Sequence, residues 1–282
     1  MSAETLAEAY FPLTANQGAG YREIEACLAL KPWIRCFWVY TDQCDQIVIP
    51  DTCMDIILCV DETGKSEIFF CGINDFTFTS FNDSARPGVR LIGIRFYFWA
   101  VASFCTGSLK AVRNTKDQMD FYFPGWAEGL KQAFDAAESL EALWTKWEAF
   151  LLAHQHADPI PPLIMRAAEL IIRRKGVLAI ADLAAELGLE KRWMERKFLD
   201  FYGVSGKRLS LLIRYQLIWQ ACLQDHDFNV QDTVADYGFY DQAHLLNFFK
   251  KYHNSQRVSF FSKQIFNMSS QIVVVAQAFF FQ

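Results

Sequence analysis

Between Ile34 and Phe98 the apolar residues fall on alternate positions or in short β-branched and aromatic runs: "WIRCFWVY", "QIVIP", "MDIILCV", "SEIFFCGI", "FTFTSF" and "VRLIGIRFYF", separated by Asp, Gly, Asn and Pro. Alternation with period two buries one face of a strand, and turn formers between such runs mark the reversals. Six short strands at this spacing predict a sandwich or small barrel. From Trp126 the period changes. Leu130, Phe134, Ala137, Leu140, Leu143, Trp144, Trp147, Phe150 and Leu151 recur at three and four, which predicts a single amphipathic helical stripe over 126–153. The run Asp158-Pro159-Ile160-Pro161-Pro162 cannot continue a helix, because proline lacks the backbone donor and biases its predecessor to extended geometry. It is read as a domain boundary. Beyond it the pattern predicts helices throughout: Leu163 to Lys175, a short helix stopping at Gly188, a long one from about Ser205 to Gln224, and a last pair around Gly238.

That last pair repeats the earlier one. Laying Gly188 on Gly238 gives a period of 50 residues, with Ile180 on Val230, Leu183 on Thr233, Ala184 on Val234 and Leu189 on Phe239. Each copy reads as a first helix, a turn at glycine and a second helix with bulky inward residues: Trp193, Met194 and Phe198, then Leu245, Phe248 and Phe249. Glycine adopts a left-handed backbone angle at no steric cost, which suits the turn. This is a helix-turn-helix pattern seen twice. The long helix between the copies carries Leu209, Leu212, Ile213, Leu217 and Ala221 as its buried stripe. At about 1.5 Å per residue its roughly 20 residues span about 30 Å, close to the 34–36 Å or so of one DNA turn.

Charge sharpens the picture. The 282 residues are 52% hydrophobic with net charge −5, enough for two modest cores and against a protein that coats nucleic acid unselectively. The average conceals a division: residues 1–159 hold 12 Lys and Arg against 21 Asp and Glu, or −9, while residues 160–282 hold 15 against 11, or +4. The basic half is the one with the repeat. With its apolar residues turned inward, the second helix of copy one shows Lys191, Arg192, Glu195 and Arg196, and that of copy two shows Gln242, Ala243, Leu246, Asn247 and Lys250. Arg pairs bidentately with guanine, Gln and Asn with adenine, and Ala or Leu meets a thymine methyl. Lys207, Arg208 and Arg214 near the start of the long helix suit phosphates. An ordinary solvated helix surface is the plainer alternative for any one of these faces, and less so for two.

The segment from Ile180 to Phe261, through "LAAELGLEKRWMERKF", "GVSGKRLSLLIR" and "YGFYDQAHLLNFFKKY", resembles the DNA-binding domain of the AraC/XylS family of bacterial transcription regulators. The resemblance implies two helix-turn-helix units joined by a linker helix, double-stranded DNA as partner, and a cytoplasmic regulator. The earlier segment "FWVYTDQCDQIVIPDTCMDIILCV", with Trp38, Pro50, Asp51, Cys53 and Asp55, resembles the N-terminal domain of one branch of that family. Departures from the family pattern are Gly206 for the usual proline at the start of the linker helix, Thr233-Val234 for an Ile-Ala pair, Asn254 and Arg257 for the glycine and proline of the closing turn, Glu190 for a serine cap, and the acid Glu195 on the first outward face.

The first half offers sensing chemistry rather than catalysis. All five histidines, His154, His156, His226, His244 and His253, follow the strand-rich region, so no imidazole is placed to hold a metal in a barrel there. GxSxG, P-loop and GxGxxG contexts are missing. The expectation is therefore no enzyme, no cofactor and no metal. Of eight cysteines, seven lie between Cys27 and Cys105 without a CxxC pair, which suits reduced, partly buried thiols. Trp33, Phe37, Trp38, Phe96, Phe98 and Trp99 with Arg35, Arg86, Arg90 and Arg95 are candidates for a pocket taking a flat or anionic effector, core packing being the alternative for the aromatics. Trp38, Asp51, Cys53, Asp55 and Arg95 are the narrower effector candidates. Asp51, Cys53 and Asp55 share a face at spacing two, either as a turn aspartate with a buried thiol or as a thiol sensor. No basic segment followed by an apolar one opens the chain, so no signal peptide is expected, and the uncharged run Phe96 to Leu109 is shorter than the roughly 20 residues that cross a bilayer; no membrane is expected as partner.

The sequence thus predicts an α+β chain: a β-barrel or sandwich of cupin-like kind with a helical segment, then an all-α double helix-turn-helix. The divisions are a β-rich sensor over 1–125, a helical linker or dimer contact over 126–157, a DNA-binding domain over 160–262 and an apolar tail over 263–282. The function expected is a sequence-specific transcription regulator, governed by a small-molecule effector or partner and acting as a homodimer. The rival is a protein-interaction module that keeps the helix-turn-helix scaffold without binding DNA.

Overall fold

The computed structural model describes residues 3–14, 20–41, 46–80, 88–117, 119–157, 159–224 and 229–252. Arg86, His226, His253, Asn254, Arg257 and the tail 263–282 lie outside them.

All six expected strands form. They are β2 (Ile34–Tyr40), β3 (Gln46–Val48), β4 (Met54–Val60), β5 (Ser66–Cys71), β6 (Phe78–Ser80) and β7 (Arg90–Phe96). Two further short strands, β1 (Tyr21–Ile24) and β8 (Lys116–Asp117), and a leading helix, α1 (Ala3–Ala9), carry too few residues to show a period. An antiparallel sheet runs β1-β2-β7-β4-β5-β8, and β3 pairs with β6 in a second, two-stranded sheet. Strand β2 is buried at every residue because both faces of the sheet are covered. Phe37 and Val39 enter the main core, whereas Cys36, Trp38 and Tyr40 join Tyr21 in a separate cluster on the other face. Of the uncharged run Phe96 to Leu109, residues 96–105 and Leu109 are buried, while Thr106, Gly107 and Ser108 are exposed. Among the described residues no helix is long and apolar enough to cross a membrane.

Every element described after β8 is a helix, beginning with the short α2 (Met119–Tyr122). The predicted single stripe over 126–153 is instead two helices, α3 (Trp126–Asp135) and α4 (Leu140–His154). Ser139 causes the restart: its side chain accepts from the Ala142 backbone N–H at 3.1 Å, satisfying a donor that the start of a helix leaves unpaired. The apolar positions close on the chain's own sheet. Phe37 stacks on Trp144 at 5.4 Å, and the Trp147 indole N–H donates to the Leu130 carbonyl at 3.2 Å. Leu130, Leu143, Trp147 and Leu151 are all buried against the chain's own core, while Leu152 on the same helix as the last three is exposed.

The remaining helices are α5 (Pro162–Arg173), α6 (Ile180–Glu186), α7 (Lys191–Tyr202), α8 (Gly206–Gln224), α9 (Val230–Asp236) and α10 (Gln242–Lys250). The proline run separates α4 from α5, with proline in the first turn of α5, where its missing N–H costs nothing. The apolar core continues through this break from Ala3 to Tyr252. Tyr202 joins the two sides: its ring meets Phe98 edge-on at 5.1 Å and its hydroxyl donates to the Ile164 carbonyl at 3.2 Å. Helix α8 departs from expectation too. Besides Leu209, Leu212 and Ile213, it buries Tyr215, Gln216, Ile218, Trp219 and Cys222, so it is enclosed on several sides rather than along one stripe. The Gln216 amide explains the second side, accepting from the Leu13 N–H at 2.7 Å and donating to the Pro50 carbonyl at 2.6 Å.

The 50-residue repeat is geometric as well as chemical. In both copies the first helix has seven residues and ends on the same pair of hydrogen bonds. Leu189 N–H reaches the Ala184 carbonyl at 2.8 Å and Gly188 N–H the Ala185 carbonyl at 3.1 Å; Phe239 reaches Val234 at 2.8 Å and Gly238 reaches Ala235 at 3.2 Å. This is the Schellman closure, and φ is +65° at Gly188 and +64° at Gly238. A Cβ on Gly188 would meet nothing within 4 Å, whereas one on Gly238 would lie 2.7 Å from Val177. Gly188→Ala is therefore expected to cost about 1–2 kcal/mol, the backbone penalty alone, and Gly238→Ala more. Urea-unfolding midpoints of the two variants check the order.

Candidate nucleic-acid interface

The first two turns of α7 carry the cations. Lys191, Arg192 and Arg196 are exposed, and none has an ion-pair partner among the described residues. Helix α10 shows Gln242, Ala243 and Asn247 to solvent, with Leu246 half-buried and Lys250 exposed. Asp241 caps α10 by accepting from the His244 N–H at 2.7 Å. Glu190, at the same place before α7, makes no side-chain cap. The far end of α7 is anchored to the β-rich half: the Leu109 N–H donates to the Asp200 carbonyl at 2.8 Å, and Lys110 pairs with the Asp200 carboxylate at 3.0 Å. One end of α7 is thus fixed and the other open.

Several acids near these helices are engaged by neighbouring cations. Arg174 holds Glu186 by two bonds, 2.7 and 2.8 Å, and that hydrogen bonding brings the Glu186 carboxyl below its usual range. Lys175 pairs with Asp236 at 3.0 Å.

Three candidate DNA contacts have partners within the chain. Glu195 turns to the start of α8, where its carboxylate accepts from the Gly206 N–H at 3.2 Å. A helix N-terminus presents unpaired N–H groups and favours negative charge, which is why the acid sits there rather than on the outward face. The bond excludes proline at 206, which would have no hydrogen to give, and a Cβ there would lie 3.3 Å from Ile180. Arg208 pairs with Asp75, which also binds Arg113 at 2.9 Å and Asn114 at 2.8 Å. Arg214 is half-buried, donating to the Gly176 carbonyl at 3.0 Å with its guanidinium 5.4 Å from the Phe239 ring; burial lowers its pKa. Lys207 stays exposed.

The effector candidates Trp38, Asp51, Cys53, Asp55 and Arg95 are brought together, but they bind one another. Arg95, opposite Asp55 in the β4–β7 register, donates from Nε to Asp55 Oδ1 at 3.0 Å, and the Trp38 indole N–H donates to the same oxygen at 2.7 Å. The indole lies across β7 at Gly93, where a Cβ would overlap it. Arg95 Nη1 donates to Thr14 Oγ1 at 2.6 Å and lies 3.7 Å from Asp51, whose other oxygen accepts from the Cys53 N–H at 2.9 Å. Glu23, which the sequence pattern did not mark, completes the cluster by pairing with Arg35 at 3.0 Å. Burial alone would raise the Glu23 carboxyl; Arg35 and Arg95 together outweigh it and leave it below its usual range. Burial raises Asp51 despite Arg95, while Arg95 itself is held protonated by Asp55 against its own desolvation. Burial also pushes the Cys53 thiol well up, and a thiol without thiolate character is a poor nucleophile. Of the remaining aromatics proposed for a pocket, Phe37, Phe96, Phe98 and Trp99 are buried in the core, and Trp33 is half-buried against it.

The family model described as a domain of unknown function, DUF6597, matches residues 22–117, the span of the sheet. No curated protein matches this chain. Among solved structures the chain is similar to ToxT from Vibrio cholerae. One such structure, of the P21 form, is 11% identical with a TM-score of 0.40, covering 86% of this chain and 97% of ToxT. Another, of wild-type ToxT bound to an unsaturated fatty acid, is 12% identical with a TM-score of 0.36, covering 84% and 93%.

Proposed function

We propose that this protein is a sequence-specific DNA-binding transcription regulator in which α7 and α10 enter successive major grooves and a cupin-like β-rich half governs the reading half. The observation that carries the reading is the fifty-residue repeat of one Schellman-closed helix-turn-helix, with Lys191, Arg192 and Arg196 exposed on one second helix and Gln242, Ala243 and Asn247 on the other. Cations with hydrogen-bonding amides on short helices are the side chains that read base edges. Helix α8, 19 residues long, separates the units by about 28 Å of helix axis, near the length of one turn of duplex. Lys207 at its start is assigned to phosphate. The pairing of Arg208 with Asp75 favours the rival reading, a protein-interaction module, to the extent that one phosphate ligand is already occupied.

Selection of bound duplexes from a random pool tests the proposal. Affinity for the selected duplex is expected to fall steeply with salt, since each neutralised phosphate releases counterions and about four exposed cations give a log–log slope of about −3 to −4. Enrichment of no sequence, or a flat salt response, would favour the interaction module.

A further inference from the structure

We infer that the turn between α5 and α6, Arg174 to Val177, is a lock that fixes the second helix-turn-helix unit relative to the first, with Lys175 and Arg214 as positioning residues; this rests on the DNA reading above. The turn is pressed onto the linker helix, because a Cβ on Gly176 would overlap the Ser210 carbonyl of α8. From the same place it grips the glycine turn of the second unit at successive residues. Lys175 Nζ lies 3.0 Å from Asp236 Oδ2 and 4.9 Å from the centre of the Tyr237 ring. Val177 fills the space beside Gly238. Arg214 ties both sides together, donating to Gly176 and lying over Phe239. The Tyr237 hydroxyl donates to the Leu217 carbonyl at 3.1 Å, so the second unit is fastened to α8 as well. A unit needed only as an independent domain on a flexible tether would require none of these contacts. Taken together they specify an angle and a distance, which on DNA means a half-site spacing.

The duplex selected above, rebuilt with one, two or three base pairs inserted or removed between its half-sites, reads that out. Each base pair rotates the second site by about 35° and shifts it by about 3.4 Å, so the parent protein is expected to lose at least tenfold in affinity for a two-pair change. Lys175→Ala combined with Arg214→Met is expected to reduce that discrimination below threefold, with affinity for a duplex holding only the first half-site unchanged. Asp236→Asn, a milder change at an exposed pair, should give an intermediate profile, and Lys175→Arg should restore the parent's. If the parent discriminates and the variants discriminate equally, or if the parent binds with no spacing preference, the lock is overturned while the DNA reading stands. Failure of the parent to bind any duplex overturns both.

Discussion

Asp55→Ala is expected to destabilise the fold by about 3–5 kcal/mol, the cost of removing the closest partner of a buried ion pair together with the acceptor of two buried hydrogen bonds, with Asp51 at 3.7 Å and Glu23 at 3.9 Å left as the more distant counter-charges of Arg95. Arg95 has its side chain 9% exposed and takes its closest ion pair from Asp55, so no water replaces the lost carboxylate. The same oxygen also accepts the Trp38 indole hydrogen, and the change orphans two buried donors at once. Asp55→Asn should cost much less, because an amide oxygen still accepts from both. Chemical denaturation of the three proteins checks the order, and a loss for alanine no larger than for asparagine would refute the account. Charges that exist to hold the sheet together should behave in this way; charges awaiting an anionic effector should be released by alanine.

Arg192→Ala with Arg196→Ala is expected to do the reverse, weakening DNA binding by about 1–3 kcal/mol at each base-reading position while leaving thermal stability as it was. Both side chains are exposed and neither has a described ion-pair partner, so the fold loses nothing when they go. Sequence preference should relax where they read. Lys207→Ala provides the contrast, weakening binding evenly across sequences and lowering the salt slope by about one, as a phosphate contact does. Fluorescence anisotropy on the selected duplex and its single-base variants separates these outcomes, and a double variant that binds like the parent would remove α7 from the interface.

The strands and the repeat were legible because each has a local cause: short runs of β-branched and aromatic residues bounded by turn formers for β2, β4 and β7, and a left-handed turn at Gly188 and Gly238. The stripe over 126–153 misled because apolar spacing continues smoothly through Ala137 and Leu140, while the signal that divides it is one capping hydroxyl, Ser139. Glu195 looked outward on a helical wheel, and nothing near it in sequence says that the start of α8 folds back onto it. Arg208 and Asp75 are 133 residues apart, a pairing invisible to any window. The effector cluster was found as a group but not as a closed one. Its residues were recognisable by type; that they satisfy each other depends on Gly93 leaving room for an indole and on β4 lying beside β7.

Helix α8 has one more implication. Its Gln216 amide is held by backbone atoms of Leu13 and Pro50, and in α7 the Tyr202 ring rests on Phe98. A chain started at Pro161 would leave these groups facing water on a side that nothing else could cover. The helical portion is therefore expected to depend on its other half for its shape, which is upheld by loop residues 166 and 203 positions away along the chain.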